Sequence, residues 1–392
     1  MAKFFFFLLI VFSFTSCTAS WQKLHKNAVL VDAHNDVLST VSMRAMNIDH
    51  DLRVRSHSDI GRFQKSGVDV QIFSVFCDER FGKDTAFKYA NIEIDSLYSI
   101  VARNQDKLMM VTNPAELKRA VQQKKMGCMI GVEGGHMIED NLNYLDQLYS
   151  RGARYLTLTW NNSTSWATSA WDETSKKDSL PHKGLTDFGK QVVKRMNELG
   201  MIIDVSHIGE QTFWDVMSIT TKPLIASHSC AHALCPVPRN LKDDQIKAIG
   251  KNDGVIHLNF YSGFIDSNFM KRLSQFNARH KSERDSLLKL KWVNWEIEEW
   301  LSQQYPDESE ELRPPLSTLL DHLDHIVKLV GVDHVGLGSD FDGISSSPKQ
   351  LEDVTSFPLI TKALMERGYS KTNIKKILGG NFIRVFEANQ SR

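Results

Sequence analysis

The segment TDFGKQVVKRMNELGMIIDV, residues 186–205, predicts one helix followed directly by one strand. Thr186 can cap the helix, and Gly200 can adopt the left-handed backbone that commonly ends one. The helix would bury a face of apolar side chains at three- and four-residue spacing, namely Phe188, Val192, Met196 and Leu199. The apolar run Met201–Val205 follows at once, which is typical of parallel sheets whose strands are connected by helices.

Seven further short apolar runs, most of them separated by helix-like stretches, occur along the chain. The eight runs are Ala28–Val31, Val70–Phe76, Met129–Val132, Tyr155–Thr159, Met201–Val205, Leu224–Ala226, Val255–Leu258 and Val335–Leu337. This number and spacing predict an α/β fold, a (β/α)8 TIM-type barrel. A doubly wound open sheet is the alternative, but no glycine-rich phosphate-binding motif follows the first run.

The composition is that of an ordinary globular protein. The chain has 392 residues, with 47 Lys and Arg against 47 Asp and Glu, and it contains five Cys. This excludes disordered, collagen-like and disulfide-framework classes. The balanced charge argues against a nucleic-acid partner, because such proteins carry an excess of basic residues.

The domain organisation follows from where the strand–helix alternation begins and where it is interrupted. Residues 28–392 are expected to form a single barrel domain, preceded by a linker over residues 17–27. A long, charged, Trp-containing segment at about 264–313 predicts a helical insertion between strands 7 and 8.

The N-terminus resembles an export signal. Lys3 precedes the apolar run Phe4–Phe12, which is too short to span a bilayer. The sequence Phe14-Thr15-Ser16-Cys17 resembles a lipobox, so residues 1–16 are expected to be removed and Cys17 to be lipidated. An ordinary secretory signal cleaved near Ala19 is the alternative. We therefore expect an exported lipoprotein in the periplasm or at the cell surface, held to the membrane through its lipid anchor only.

Potential metal ligands follow several of the predicted strands. These residues are His34, Asp36, Glu133, His207 and His228. Each alone is at least as readily explained as a core histidine, a helix cap or an ion-pair partner. Because active sites of (β/α)8 barrels lie at the carboxyl ends of the strands, the five residues are expected to converge. Imidazole and carboxylate ligands with open positions for water are typical of a catalytic metal site.

These motifs, in this order, resemble the membrane (renal) dipeptidase family of zinc-dependent (β/α)8 hydrolases. The resemblance extends from His34-Asn35-Asp36 to the C-terminal stretch 381–386, and includes residues 155–159, 184–189 and 321–326. His-x-Asp after the first strand is a discriminating detail, since many other metallo-barrels have His-x-His there.

The resemblance implies a site with two zinc ions per subunit. His34 and Asp36 would bind one ion, His207 and His228 the other, and Glu133 together with a water or hydroxide would bridge them. Arg239 would receive the C-terminal carboxylate of the substrate, and the bridging hydroxide would attack the peptide carbonyl. Asp340 would contact the substrate and protonate the departing amine, and Tyr261 would line the pocket.

One position departs from the family pattern. Trp160, followed by Asn161, stands where better-known members have a His that contacts the oxyanion. Either Asn161, Asn162 or the metals would take over that role, or the substrate differs. The resemblance implies cleavage of L-L and L-D dipeptides. The alternatives are the same chemistry on an N-acyl amino acid or a β-lactam, and a peptide-binding lipoprotein without catalysis. The oligomeric state, a homodimer among the options, and a Cys230–Cys235 disulfide stay open.

Overall fold

Strands and helices alternate along the part of the chain that the computed structural model describes, residues 15–390. The strands all pair in parallel, and each of the eight predicted runs overlaps one strand of the barrel. The strands are β1 (Val31–Asn35), β2 (Val70–Val75), β3 (Leu108–Met110), β4 (Met126–Glu133), β5 (Ala153–Thr157), β6 (Ile202–Asp204), β7 (Ile225–Ala226), β8 (Val255–Leu258) and β9 (Val335–Leu337).

Eight of these strands follow one another around the barrel in the order β1-β2-β4-β5-β6-β7-β8-β9. The ring closes between the ends of β1 and β9, where the amide of Asp36 donates to the carbonyl of Phe341 (2.9 Å) and that of Asp340 to the carbonyl of His34 (3.0 Å). The prediction of a (β/α)8 barrel is thus confirmed. The seam of the barrel carries three of the candidate site residues.

Two details of the strands differ from the prediction. β1 begins at Val31, where the predicted run ends, so His34 lies within the strand rather than after it. The short strand β3 was not predicted; it pairs only with β4, outside the ring, and has just three residues to give a signal.

Helices cover the outside of the barrel. They are α1 (Thr15–Lys26), α2 (Val37–Met43), α3 (Ile60–Ser66), α4 (Ala86–Arg103), α5 (Pro114–Gln122), α6 (Leu142–Ser150), α7 (Ala170–Ser175), α8 (Asp187–Leu199), α9 (Glu210–Ile219), α10 (Asp243–Lys251), α11 (Ser262–Ile265), α12 (Phe269–Arg279), α13 (Lys281–Lys289), α14 (Asn294–Gln304), α15 (Pro306–Leu312), α16 (Leu316–Val330), α17 (Phe357–Glu366), α18 (Lys371–Lys375) and α19 (Asn381–Gln390). In α8 the hydroxyl of Thr186 accepts from the amide of Gly189, and Gly200 ends the helix at φ 78°, as predicted.

The barrel interior is packed with apolar side chains. One buried cluster joins residues from seven of the ring strands with Phe382, Val385 and Phe386 of α19. A larger cluster fills the space between the strands and the surrounding helices. The polar residues at the strand ends therefore stand on a rigid, filled core.

Helices α11 to α15 lie between β8 and β9, the seventh and eighth strands of the ring, where the helical insertion was expected. Part of this segment has an apolar cluster of its own, formed by Phe269, Leu273, Phe276, Ile297, Leu301 and Leu312. The insertion is therefore a small packed unit with an apolar core of its own.

The segment expected as a linker, residues 17–27, is helical instead. Within α1, Leu24 is buried, and the ring of His25 hydrogen-bonds to Thr361 Oγ1 (2.7 Å) and to the Ser66 carbonyl (2.9 Å). These contacts fix the helix to the barrel. Residues 1–14 of the expected signal lie outside the described residues, and among residues 15–390 none of the helices combines the length and apolarity needed to cross a membrane.

Candidate metal centre and substrate cavity

The five predicted metal ligands lie together at the carboxyl end of the barrel. His34 is the penultimate residue of β1 and Glu133 the last residue of β4. Asp36, His207 and His228 follow β1, β6 and β7 by one to three residues. Because the strands are parallel, their ends meet on one side of the ring, as the sequence pattern indicates.

Glu133 occupies the middle of this cluster and divides its two oxygens between two groups of imidazoles. Its Oε2 lies 3.5 Å from Nε2 of His34. Its Oε1 lies 2.9 Å from Nε2 of His207 and 3.5 Å from Nε2 of His228. One carboxylate therefore faces two adjacent positions, which is the arrangement that a bridging ligand requires.

A second group of potential ligands lies on the other side of His34. Its Nε2 is 3.4 Å from Asp36 Oδ2 and 3.9 Å from Asp340 Oδ1. His34, Asp36 and Asp340 could hold one cation, and His34, Glu133 and His228 another. Asp340 thus stands among the potential ligands, in addition to the proton-transfer role expected from the sequence.

The hydrogen bonds on the far side of each imidazole determine which nitrogen faces the cluster. The Tyr155 hydroxyl donates to the Ala33 carbonyl (3.2 Å), so the Nδ1–H of His34, 2.7 Å away, donates to the Tyr155 oxygen. The Nδ1–H of His207 donates to Oδ1 of Asn161 (3.2 Å). In each of these two rings Nε2 is the nitrogen directed at the cluster, where it is available to a cation.

His228 is held in the same tautomer by a buried carboxylate. Ser227 donates its hydroxyl to Oδ2 of Asp204 (2.6 Å) and accepts from the Nδ1–H of His228 (2.8 Å). Asp204 also accepts the hydroxyl of Thr157 (2.5 Å) and the amides of Ser206 (3.0 Å) and Ser227 (2.8 Å). Asp204 thereby fixes the ends of three neighbouring strands together with the orientation of His228.

This donor set fits a metal ion. Two Nε2 lone pairs, those of His207 and His228, lie only 2.9 Å apart, an arrangement that a cation between or beside them would stabilise. His34 Nε2 has no hydrogen-bond partner among the described residues, although carboxylate oxygens surround it at 3.4–3.9 Å. Burial, together with the nearby Arg239 charge, lowers the pKa of His207 to about 4, which keeps its imidazole neutral and able to coordinate.

Backbone strain coincides with the site. His207 has φ 65° and Asp340 has φ 61°, values that side-chain-bearing residues rarely adopt. Gly343 passes so close that a Cβ there would lie 2.3 Å from Asp36 Oδ2 and 2.7 Å from Asp340 Oδ1. Such strain persists where the surrounding structure requires it, and two of the residues that carry it are candidate functional residues.

Arg239 lies beside the imidazoles. Its guanidinium is buried and donates to Ser229 Oγ (3.2 Å) and to the His228 carbonyl (3.1 Å), while Nε has no partner among the described residues. Among residues 15–390 no carboxylate lies within 4.0 Å of it. His207 and Arg239 line the same cavity of ≈ 550 Å³, which is large enough for a dipeptide.

The remaining predicted substrate residues lie elsewhere around the site. Trp160 packs against Phe76, with ring centroids 4.9 Å apart, and Asn161 orients His207. Tyr261 packs against Phe264 and Phe269 at 4.9 and 5.7 Å. None of Trp160, Asn161 and Tyr261 lines the cavity that holds Arg239.

Cys230 and Cys235, whose pairing the sequence left open, are both free thiols. They are buried, and they donate to the carbonyls of Asn259 (3.2 Å) and Gly263 (3.5 Å). The loop between His228 and Arg239 is thus held by hydrogen bonds rather than by a disulfide.

Sequence reasoning missed several residues that position the site. Tyr155 holds His34, Asp204 holds Ser227 and His228, and Asn259 donates to Asp340 Oδ2 (2.8 Å). Asp204 could have been found, because a carboxylate at the end of an apolar strand needs buried donors. Tyr155 and Asn259 carry no such signal.

Comparison with known proteins agrees with this geometry. The model of the membrane dipeptidase family, peptidase family M19, matches residues 18–392. An uncharacterized dipeptidase of Schizosaccharomyces pombe is 31% identical over 387 residues, 94% of this chain and 82% of that protein.

Two solved structures share the fold. One is the probable dipeptidase PvdM of Pseudomonas aeruginosa, at 25% identity and a TM-score of 0.79, over 96% of this chain and 99% of PvdM. The other is a metallopeptidase of Rhodobacter sphaeroides bound to a phosphinate mimic of L-Ala-D-Ala, at 23% identity and a TM-score of 0.74, over 93% and 100% of the two chains. The chain therefore belongs to the membrane dipeptidase family, a family of metallopeptidases, and a metal-dependent dipeptidase is the activity that this membership supports.

Proposed function

We propose that the protein is a zinc dipeptidase with two metal ions per chain that cleaves L-L and L-D dipeptides. The observation that carries the proposal is that the Nε2 atoms of three imidazoles face the two oxygens of Glu133. These imidazoles belong to His34, His207 and His228. His34 would hold one ion together with Asp36, and His207 and His228 would hold the other. Nitrogen and oxygen ligands of this kind suit zinc.

The unpaired Arg239 supports a substrate with a free carboxylate. A buried guanidinium without a carboxylate partner is costly, and it gains most from an anionic ligand with two oxygens. Because Arg239 shares its cavity with His207, a dipeptide bound through its C-terminal carboxylate would place its peptide bond near the metal ligands. A guanidinium that contacts only the carboxylate does not select the configuration at Cα of the substrate's C-terminal residue. For this reason the proposal includes L-D dipeptides.

The chain's own residues would divide the remaining work. The metal ions, when bound, would activate a water and polarise the peptide carbonyl. Arg239 fixes the orientation of the substrate. Asp340, whose Oδ2 is held by Asn259, would deliver a proton to the departing amine. Burial beside Asp36 raises the pKa of Asp340 well above its usual range, and the positive charge of bound metal ions would act in the opposite direction.

The test is an activity and metal measurement on the purified protein. After chelator treatment and addition of zinc, we expect two zinc ions per chain by mass spectrometry and hydrolysis of both L-Ala-L-Ala and L-Ala-D-Ala. C-terminally amidated analogues should be poor substrates, because they lack the carboxylate that Arg239 would bind. Cleavage of N-acetylalanine in preference to dipeptides would favour the N-acyl amino acid alternative. Peptide binding without any hydrolysis would refute the enzyme proposal.

We also propose export and lipid attachment at Cys17, on the strength of the N-terminal sequence alone. Expression of the full chain in a bacterial host should place it in the membrane fraction, and Cys17→Ala should release it in soluble form. A Cys17→Ala protein that stays with the membrane would contradict the anchor.

A further inference from the structure

Two lysines from one segment of the chain line the Arg239 cavity. Lys177 and Lys183 belong to the segment between α7 and α8, and both line the cavity together with Arg239 and His207. Both side chains are exposed, and among residues 15–390 neither ammonium forms an ion pair or a hydrogen bond. Neighbouring Lys176, which does not line the cavity, pairs with Asp172 at 2.8 Å.

The other charged residues of the cavity wall do not neutralise these lysines. Lys242 and Glu210 pair with each other at 2.7 Å. Glu173 is buried and already accepts the Thr168 hydroxyl (2.5 Å) and the Gln211 amide (3.2 Å). Three cations, Arg239, Lys177 and Lys183, therefore face the cavity against the one carboxylate of Glu173.

We propose that this cavity selects dipeptides whose C-terminal residue has an acidic side chain, aspartate or glutamate. The proposal rests on the proposed dipeptidase function. Arg239 takes the main-chain carboxylate, and Lys177 and Lys183 take the side-chain carboxylate of the same residue. A lysine suits this second position, because its long flexible stem can follow side chains of different length with a point charge.

The guanidinium and the two ammonium groups would play different parts in binding the substrate. The buried Arg239 gives a fixed, directional pair and is needed for every substrate. The exposed lysines act through solvent-screened attraction, which adds selectivity at a modest gain in binding. We expect a preference of about tenfold for L-Ala-L-Glu over L-Ala-L-Gln, in the range that two exposed ion pairs can supply.

The experiment compares kcat/KM for these two dipeptides, which differ only in the side-chain charge. The zinc-loaded wild-type protein should show the tenfold ratio, and the double variant Lys177→Gln/Lys183→Gln should bring it close to one. Lys176→Gln removes the same charge from a lysine outside the cavity and should keep the wild-type ratio. Raising the salt concentration to about 1 M should reduce the wild-type ratio, because the Debye length falls to about 3 Å.

Each outcome separates this inference from the dipeptidase proposal. Hydrolysis of both dipeptides at equal rates would refute the acidic preference and leave the dipeptidase function standing. A wild-type ratio that survives in the double variant would refute the assignment to Lys177 and Lys183. Failure to hydrolyse either dipeptide would refute the proposed function and the inference with it.

Discussion

The ligand cluster and the wall of the Arg239 cavity are built in opposite ways. In the ligand cluster, His34 and His228 are almost completely buried, and each ring is held by a buried partner, Tyr155 or Ser227. In the cavity wall, Lys177 and Lys183 are exposed on a segment between helices. If the proposed roles hold, the chemistry depends on rigid strand ends, whereas substrate choice depends on surface loops. Substitutions in the ligand cluster should affect all substrates alike, and substitutions at the cavity should change their ranking.

The largest effect is expected for His207→Ala. This change removes an imidazole that faces Glu133 at 2.9 Å, so zinc content should fall and kcat/KM for every dipeptide should drop about 10³-fold or more. His50→Ala, which removes an exposed histidine, is the control and should keep wild-type activity. An active His207→Ala protein with two zinc ions would contradict the assignment of His207.

Arg239→Met tests the boundary between the two regions. It removes the guanidinium but keeps a long side chain against Phe264, which lies 5.3 Å from the charge. We expect kcat/KM for free dipeptides to fall about 100-fold, in the range for loss of a buried charge-assisted pair. The preference for free over C-terminally amidated dipeptides should disappear. Arg195→Met, at a surface ion pair with Asp146, is the matched control.

If Arg239→Met kept the preference for free carboxylates, the guanidinium would not be the group that reads them. Zinc content should stay at the wild-type level in this variant, since Arg239 holds no ligand position. This separates it from His207→Ala.

Asp204→Asn should weaken the hydrogen bonds that hold Ser227 and, through it, the metal ligand candidate His228. Four donors converge on Asp204, and an amide NH₂ in place of one oxygen would oppose two of them. Without a firm hold on Ser227, His228 loses its orientation, and zinc affinity should fall about 10- to 100-fold. Competition with a chromogenic chelator measures this affinity. Excess zinc should restore activity on all dipeptides equally, as befits a positioning residue.

Asp187→Asn is the control for this change, because Asp187 is an exposed carboxylate in the first turn of α8. Unchanged zinc affinity in Asp204→Asn would show that the hydrogen bonds behind His228 do not contribute to metal binding.

The same contrast explains how far the sequence could predict the molecule. Apolar runs indicate strands, and in a parallel barrel the residues at their carboxyl ends must meet, so the convergence of His34, Glu133 and His228 could be predicted from the sequence. Their tautomers could not be predicted, because they depend on Tyr155 and Ser227, whose roles arise from the arrangement of neighbouring strands.

The cavity was much harder to predict. Nothing in the spacing of Lys177 or Lys183 indicates that they share a cavity with Arg239, since the path of a loop is set by the surfaces on which it lies. Tyr261 was expected to line the pocket; its ring packs with Phe264 and Phe269, and it does not line the Arg239 cavity. Local sequence cannot distinguish these two environments for an aromatic residue.

The smallest effect is expected at Trp160, which packs against Phe76 outside the Arg239 cavity. Phe76 and Trp160 follow β2 and β5, the strands on either side of β4, so this aromatic pair borders the strand that ends in Glu133. Trp160→His exchanges the indole for a small polar ring and weakens a contact of about 1 kcal/mol. We expect a fewfold loss of kcat/KM for dipeptides with a bulky apolar N-terminal residue relative to L-Ala-L-Ala. Trp160→Phe keeps an aromatic partner for Phe76 and should retain the wild-type ranking. A uniform change across all dipeptides in Trp160→His would instead make Trp160 part of the ligand cluster's support, because the loss of a substrate contact should change the ranking of the substrates.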